Sequence, residues 1–275
     1  MPEMPEVETL RRSLEPHLVG RTITSARVLV PKMLRGTDSR VDVFLQRIAS
    51  RRLETLGRRG KHLIFTLDSG YHLLFHLKMR GQMLVVDADA PEEKYLAAAF
   101  RLENGRELRF HDMWTWGEMR LLTGDELQIH AALAAMGPEP LDENWTPGIL
   151  TQSLARRART SLKAALLDQT VVAGVGNIYA DESLFRAGLK PTRLAGSLDG
   201  AEAARLWGEI RAVLSEAIGG GGTTSDNYVD ADGQIGRYQP RVYDRGGQPC
   251  GQCGAALTRT RVAGRGTVYC EVCQN

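Results

Sequence analysis

Apolar and polar positions change period along this chain, and the changes divide it. From Pro5 to His17 the residues Val7, Leu10, Leu14 and Leu18 recur at helical spacing, while Arg11, Arg12 and Glu15 take the other side. That pattern predicts an amphipathic helix at the start of the chain. Alternation follows. His62 to Met79 predicts two strands around an Asp68-Ser69-Gly70 turn, and Ala97 to Asp112 places Asn104-Gly105, a strong hairpin signal, between two more. Residues 2–130 thus read as a β-rich domain with an N-terminal helix. Residues 131–148, ending in a stretch rich in proline, glycine and acids, read as a linker. Beyond it, 161–169, 179–188 and 201–218 return to helical periodicity, with Gly188 and Gly219 as stops, and predict a helical domain over 149–240. Within it, Gly219 to about Gly236 is too glycine-rich and polar for a core element and reads as a loop or hinge. Residues 241–275 form a separate cysteine-bearing end, and no internal repeat is present.

Composition narrows the class. With 275 residues, 43% of them hydrophobic and 25% charged, the chain can build two ordinary globular cores. No run of eighteen apolar residues offers a membrane span, and the N-terminus has neither the basic nor the apolar region of a secretory signal. A cytoplasmic protein is expected. The net charge of +2 does not by itself announce nucleic acid. Its distribution does more: Arg51, Arg52, Arg58, Arg59 and Lys61 face one acid, Glu54, and five arginines after residue 240 face two acids. Such patches suit phosphate, although any one of them is also compatible with a solvated surface.

All four cysteines lie at the C-terminal end. Cys250 and Cys253, then sixteen residues, then Cys270 and Cys273 give the spacing of a four-thiolate zinc ribbon, in which two C-x-x-C turns close a tetrahedron without an open position. One structural Zn2+ is expected. Between the knuckles, Gly264-Arg265-Gly266 predicts a hairpin tip that holds an arginine out toward phosphate.

Pro2 follows the initiator methionine. Once exposed, its secondary amine titrates near about 8 against about 10.4 for lysine, so roughly a tenth of it is a neutral nucleophile at pH 7. Addition to C1′ of a sugar gives an iminium that is always cationic, which acidifies the neighbouring C2′ hydrogen. Glu3 and Glu6 stand beside it. In isolation these residues read first as an ordinary helix start, with Pro5 and acids in the first turn.

The segments PEMPEVE, GRRGKHL, HLKMRG, GPEPL, LLDQTVVAGVGNIYADESLFRAGLKP and GGGGTT, with the cysteine finger, occur in that order over nearly the whole chain. Together they resemble the formamidopyrimidine-DNA glycosylase and endonuclease VIII family, most closely its formamidopyrimidine branch. The resemblance implies an α+β fold of two domains: an N-terminal β-sandwich with an N-terminal helix, then a helix–two-turns–helix domain with a β-hairpin zinc finger. It implies a monomer acting on double-stranded DNA that carries a damaged base or abasic site, in a bacterial cytoplasm and held at the nucleoid through DNA.

Carried over, Pro2 is the Schiff-base nucleophile, Glu3 the general acid/base, and Glu6 assists. Lys61, Lys163, Asn177 and Arg265 are phosphate ligands, Lys61 also serving the catalytic site, with Gly174 and Gly176 opening backbone amides to phosphate. Met79 fills the space left by the turned-out nucleotide. The implied activity is excision of oxidised purines, 8-oxoguanine and formamidopyrimidines, followed by β,δ-elimination. The chain departs from the pattern at Asp112-Met113-Trp114-Thr115-Trp116-Gly117, where Trp116 replaces a phenylalanine wedge and Thr115 stands where an arginine reads the orphaned base. Arg80 and Arg120 are candidates to compensate. The loop near 219–236 corresponds to the family's cap over the flipped base. The readings kept beside this one are an endonuclease VIII-like lesion range, an enzyme acting mainly on abasic sites, and a binder of abasic or kinked DNA that excises nothing.

Overall fold

The computed structural model describes residues 2–36, 40–223 and 228–275. They gather into two compact units, one running to Ala134 and including Gly220–Arg237, the other made of Ala135–Gly219 and Tyr238–Asn275.

In the first unit, α1 (Met4–Leu18) precedes β1 (Thr22–Val28), α2 (Val41–Ile48), β2 (Arg51–Arg59), β3 (His62–Leu67), β4 (Tyr71–His76), β5 (Gly81–Asp87), β6 (Leu96–Leu102), β7 (Arg106–Asp112) and β8 (Glu118–Thr123). Two short helices, α3 (Gly124–Gln128) and α4 (Ala131–Ala134), end it. The strands run β5-β7-β6-β1-β2-β3-β4-β8, and β1 meets β2 only through Thr22 with Arg52 and Ile23 with Arg51. At that narrow seam the order folds into two layers. Phe75 of β4 stands edge-on to Phe100 of β6 at 6.0 Å and to Phe110 of β7 at 5.8 Å. The layers therefore face one another as a β-sandwich. Leu63, Phe65 and Leu67 turn inward from β3, and Val7, Leu10, Leu14 and Leu18 of α1 join the same core. Each such side chain contributes about 1.5–3 kcal/mol of burial.

Strands β6 and β7 differ from the half-buried alternation the sequence predicts, being buried on both faces. The reason is Arg109, 1% exposed, whose Nε donates to Glu107 at 2.8 Å while its Nη1 and Nη2 donate to the carbonyls of Pro91 and Ala90, both at 2.7 Å. A loop thus covers the face that alternation assigns to water.

The second unit holds α5 (Pro147–Ala155), α6 (Leu162–Leu167), α7 (Asn177–Arg186), α8 (Gly200–Gly219) and a hairpin of β9 (Thr258–Val262) and β10 (Arg265–Tyr269). Helices α6 and α7 with the turns between them make the helix–two-turns–helix. Gly188, at φ 68°, ends α7: its N–H reaches the carbonyl of Phe185 and that of Leu189 the carbonyl of Leu184. The stretch read as a linker is not free. Trp145 is 1% exposed, its carbonyl accepts from Trp207 Nε1 at 2.9 Å, and a Cβ on Gly137 would lie 2.5 Å from the carbonyl oxygen of Thr170. Residues 220–237, counted with 149–240 on sequence, pack on the first unit, where Ala231 N–H donates to Ser13 Oγ and Val85 N–H to the carbonyl of Ala231. Among the described residues no helix is long and apolar enough to cross a membrane.

Candidate active site and nucleic-acid interface

The chain enters α1 through Glu3 in extended backbone, with Pro5 in the first turn, where its missing N–H has no helical partner to lose. Pro2, Glu3 and Glu6 are buried, the two glutamates at 1% exposure each. Glu6 is fixed from three sides. Its Oε2 accepts the N–H of Glu3 at 2.9 Å, its Oε1 accepts the N–H of Thr223 at 2.9 Å, and its carbonyl accepts the hydroxyl of Tyr228 at 2.9 Å. Burial, and then the charge of Glu6, push the Tyr228 phenol well above its usual range, so it serves as a donor. Glu6 is a strut between the N-terminus and residues 223 and 228. Glu3 is the carboxylate adjoining Pro2 in the chain. Thr223 and Tyr228 are partners the sequence did not single out. Residues 224–227 of the predicted cap, with Thr224 of GGGGTT, lie outside the described residues.

Lys61 sits in the two-residue turn Gly60-Lys61 between β2 and β3, where Gly60 at φ 54° supplies the left-handed position. It is 8% exposed. The basic run around it is partly internal: Arg58 Nε donates to Glu8 Oε2 at 3.0 Å and its Nη1 to the carbonyl of Gly60 at 2.9 Å.

Met79 lies half-buried on the turn between β4 and β5. The pairing of Gly81 with Asp112 sets that turn beside the 113–117 loop. Asp112, buried, organises the loop by accepting the N–H of Trp114 at 2.9 Å and of Gly117 at 2.6 Å. Thr115 is in the left-handed region at φ 55°, and its hydroxyl donates back to the carbonyl of Trp114 at 2.6 Å. Thr115, expected to contact DNA in the arginine's place, thus has its single hydroxyl proton engaged within the loop. Trp116 keeps the exposure expected of a wedge, at 58%. Arg120 pairs with Glu118 at 3.4 Å, whereas Arg80 lies over the ring of Trp114.

In the second unit Lys163, expected as a phosphate ligand, is 0% exposed. Its Nζ donates to the carbonyl of Gly266 and to Thr267 Oγ1, both at 2.8 Å, and forms an ion pair with Asp181 Oδ1 at 2.7 Å. It fastens α6 to the finger hairpin. Burial pushes the Asp181 carboxyl up to about 6 against the pull of this ammonium. Asn177, the first residue of α7, is half-buried and donates Nδ2 to the same Gly266 carbonyl at 3.0 Å. The amide of Gly174, expected to face phosphate, is taken by Gln169 Oε1 at 2.9 Å. Arg265 is exposed, at the first position of β10, because the hairpin tip is Ala263-Gly264 with φ of 49° and 73°. Beside Asn177 a hollow of about 440 Å³ is lined by Arg259, Arg261 and Tyr243. Period-two spacing in Thr258-Arg259-Thr260-Arg261 is the signal that could have pointed to the first two.

The four cysteine sulfurs lie within 4.8 Å of one another. Cys250 to Cys273 spans 3.9 Å and Cys253 to Cys270 spans 3.5 Å. Tetrahedral zinc with sulfur at about 2.3 Å requires sulfurs about 3.8 Å apart, so the set fits one zinc ion. Gln274 locks this end in place, accepting from the N–H of Cys270 and donating to the carbonyl of Leu189, both at 2.8 Å.

Comparison with known proteins gives three matches in chain order: a formamidopyrimidine-DNA glycosylase N-terminal domain at 1–119, a formamidopyrimidine-DNA glycosylase H2TH domain at 136–228, and a zinc finger found in FPG and IleRS at 247–275. The formamidopyrimidine-DNA glycosylase of Desulforamulus reducens is 46% identical over 100% of this chain and 99% of its own length. That of Geobacillus kaustophilus is 44% identical over 100% of both. The Lactococcus lactis Fpg in complex with DNA containing an abasic site superposes with a TM-score of 0.92 at 33% identity over 99% of each chain. A point mutant of the Lactococcus lactis protein, bound to DNA containing Fapy-dG, gives the same score and identity over 100% of both chains. With full-length relatives at this identity and all three domain types in order, the chain belongs to the formamidopyrimidine-DNA glycosylase family.

Proposed function

We propose that this protein is a bifunctional DNA glycosylase and abasic-site lyase of base excision repair, working on oxidised purines through Pro2. The observation that carries the reading is the buried N-terminal set, in which a secondary amine adjoins Glu3 while Glu6 is held by the amides of Glu3 and Thr223. Removal of Met1 frees the amine. Its lone pair adds to C1′, and the electrons of the N-glycosidic bond leave with the base, which takes up a proton. Glu3 delivers a proton to the ring oxygen as the sugar opens, giving the iminium. Loss of a C2′ proton then expels the 3′ phosphate, a second elimination expels the 5′ phosphate, and water releases the sugar fragment.

Lys61, Asn177 and Arg265 are the proposed phosphate contacts, with Met79 and Trp116 entering the stack. Structural zinc holds Arg265 on its hairpin and takes no part in bond breaking. Action on chromosomal DNA places the protein in the cytoplasm at the nucleoid. The test is borohydride trapping on duplex DNA containing 8-oxoguanine. Wild type forms a covalent adduct and Pro2→Gly loses most of it, while Glu3→Gln slows base release. An undiminished adduct with Pro2→Gly overturns the assignment.

A further inference from the structure

In the proposed chemistry the amine of Pro2 and the ammonium of Lys61 must stand at a fixed separation, because an ångström of misplacement costs about a hundredfold in rate. The two lie on different elements of the first unit. Pro2 leads into α1, and Lys61 follows Gly60 in the turn between β2 and β3. A largely buried bridge joins these elements. Glu8 on the second turn of α1 and Arg58 near the end of β2 have side chains 13% and 11% exposed. Arg58 Nε donates to Glu8 Oε2 at 3.0 Å, and its Nη1 donates to the carbonyl of Gly60 at 2.9 Å. That carbonyl belongs to the planar peptide joining Gly60 to Lys61, so the bond sets the plane from which the Lys61 backbone departs. Gly60 itself is buried, one position beyond the last strand pairing, Arg59 with His62.

The carboxylate is aimed before Arg58 reaches it. Arg11 Nη2 donates to Glu8 Oε1 at 3.1 Å and Arg12 Nε to the same oxygen at 2.7 Å, both from the same helix. Burial would raise this carboxyl, but the three guanidiniums hold it at about 2, so it stays an anion through neutral pH. A guanidinium carries its N–H donors in a rigid planar fork, and pinning Nε on Glu8 therefore aims Nη1. The docking of α1 has other supports. Val7, Leu10 and Leu14 lie in the core, and Arg11 Nη1 donates to the carbonyl of Leu56 on β2 at 3.3 Å.

We infer that Arg58, aimed by Glu8, is a positioning residue for Lys61, setting the Gly60-Lys61 turn against the helix that carries Pro2. The inference rests on the proposed roles of Pro2 and Lys61. Arg58 acts through the turn and not on the sugar.

The test is the single-turnover rate of borohydride-trapped adduct formation on a duplex containing an abasic site, at saturating protein, so that differences in affinity drop out. Arg58→Ala slows it by about tenfold to a hundredfold. Arg58→Lys, a charge without the fork, falls between that variant and wild type. Lys61→Gln also slows it, and adding Arg58→Ala to Lys61→Gln slows it by no more than about twofold further, because the second change removes the alignment of a group already lost. A residue that merely supported the fold would cause the same loss in both backgrounds. If Arg58→Ala does not fold, Arg58→Lys in the two backgrounds gives the same comparison. An unchanged rate in Arg58→Ala or in Lys61→Gln, or an equal loss with and without Lys61, overturns the inference while the wild-type adduct keeps the Pro2 chemistry standing. A wild-type protein that forms no adduct defeats the Pro2 chemistry and the inference with it.

Discussion

Replacing Lys163 by methionine separates a fastening role from a phosphate-binding one. Methionine fills most of the volume but removes the hydrogen bonds to Gly266 and Thr267 and leaves Asp181 without its cation. Removing one member of a buried ion pair costs about 3–5 kcal/mol. Asp181 can relieve part of that by protonating, since burial already raises its carboxyl to about 6 with the ammonium present. The lower end, about 3 kcal/mol near neutral pH, is therefore expected. The sign with pH follows. A carboxyl whose folded pKa is raised favours the fold below its ordinary pKa, and loses that contribution as pH rises through the folded value. The gap between Lys163→Met and wild type should thus widen from pH 5 to pH 8. Asp181→Asn in the same chain should recover part of the loss, so the two changes together cost less than their sum. Urea unfolding reads these differences. Binding to an abasic-analogue duplex at several salt concentrations reads the alternative, because each lost phosphate contact reduces the slope of log affinity against log salt by about 0.9. Arg265→Ala should show that reduction and Lys163→Met should not. A Lys163→Met protein within about 1 kcal/mol of wild type, with a slope reduced by about 0.9, would refute the buried-fastener argument.

Two further predictions concern the parts that hold the site. Burial alone would raise the Glu8 carboxyl, but hydrogen bonds from Arg11, Arg12 and Arg58 hold it at about 2 against an ordinary 4.5. It therefore adds stability above pH 4.5 that is lost as pH falls toward 2. Glu8→Gln should be less stable at pH 7 and flatter through that window in acid unfolding, and parallel curves for the two proteins would contradict this. Stripping zinc with a strong chelator should release one ion per chain and weaken duplex binding, since the hairpin carrying Arg265 also provides the Gly266 and Thr267 acceptors for Lys163. Complete zinc release with unchanged affinity would show that the finger does not hold Arg265 in place.

What the sequence made legible and what it hid separate by the range of the interactions involved. The N-terminal helix, the Asn104-Gly105 hairpin with Gly105 at φ 79°, and the cysteine spacing all follow from neighbours a few residues apart. Trp116 was legible for a related reason, an exposed side chain on a short loop, whereas the tip predicted at Gly264-Arg265-Gly266 falls at Ala263-Gly264 and leaves Arg265 exposed at the start of β10. The burial and distant partners of Arg109, Lys163 and Glu6 were not legible. A lone charged residue reads as solvated because most are, and the groups that overturn that reading stand 18 or 19 residues from Arg109, 103 and 104 from Lys163, and 217 from Glu6. The family resemblance that names Lys163 was still informative. Its fixed place beside Asn177 and the finger is what a buried anchor requires, and a motif records that a residue type is needed without recording whether the need is a ligand or a strut. Exposure separates Lys163, buried on α6, from Arg265, exposed at the start of β10, and the Lys163→Met and Arg265→Ala variants test whether their roles differ.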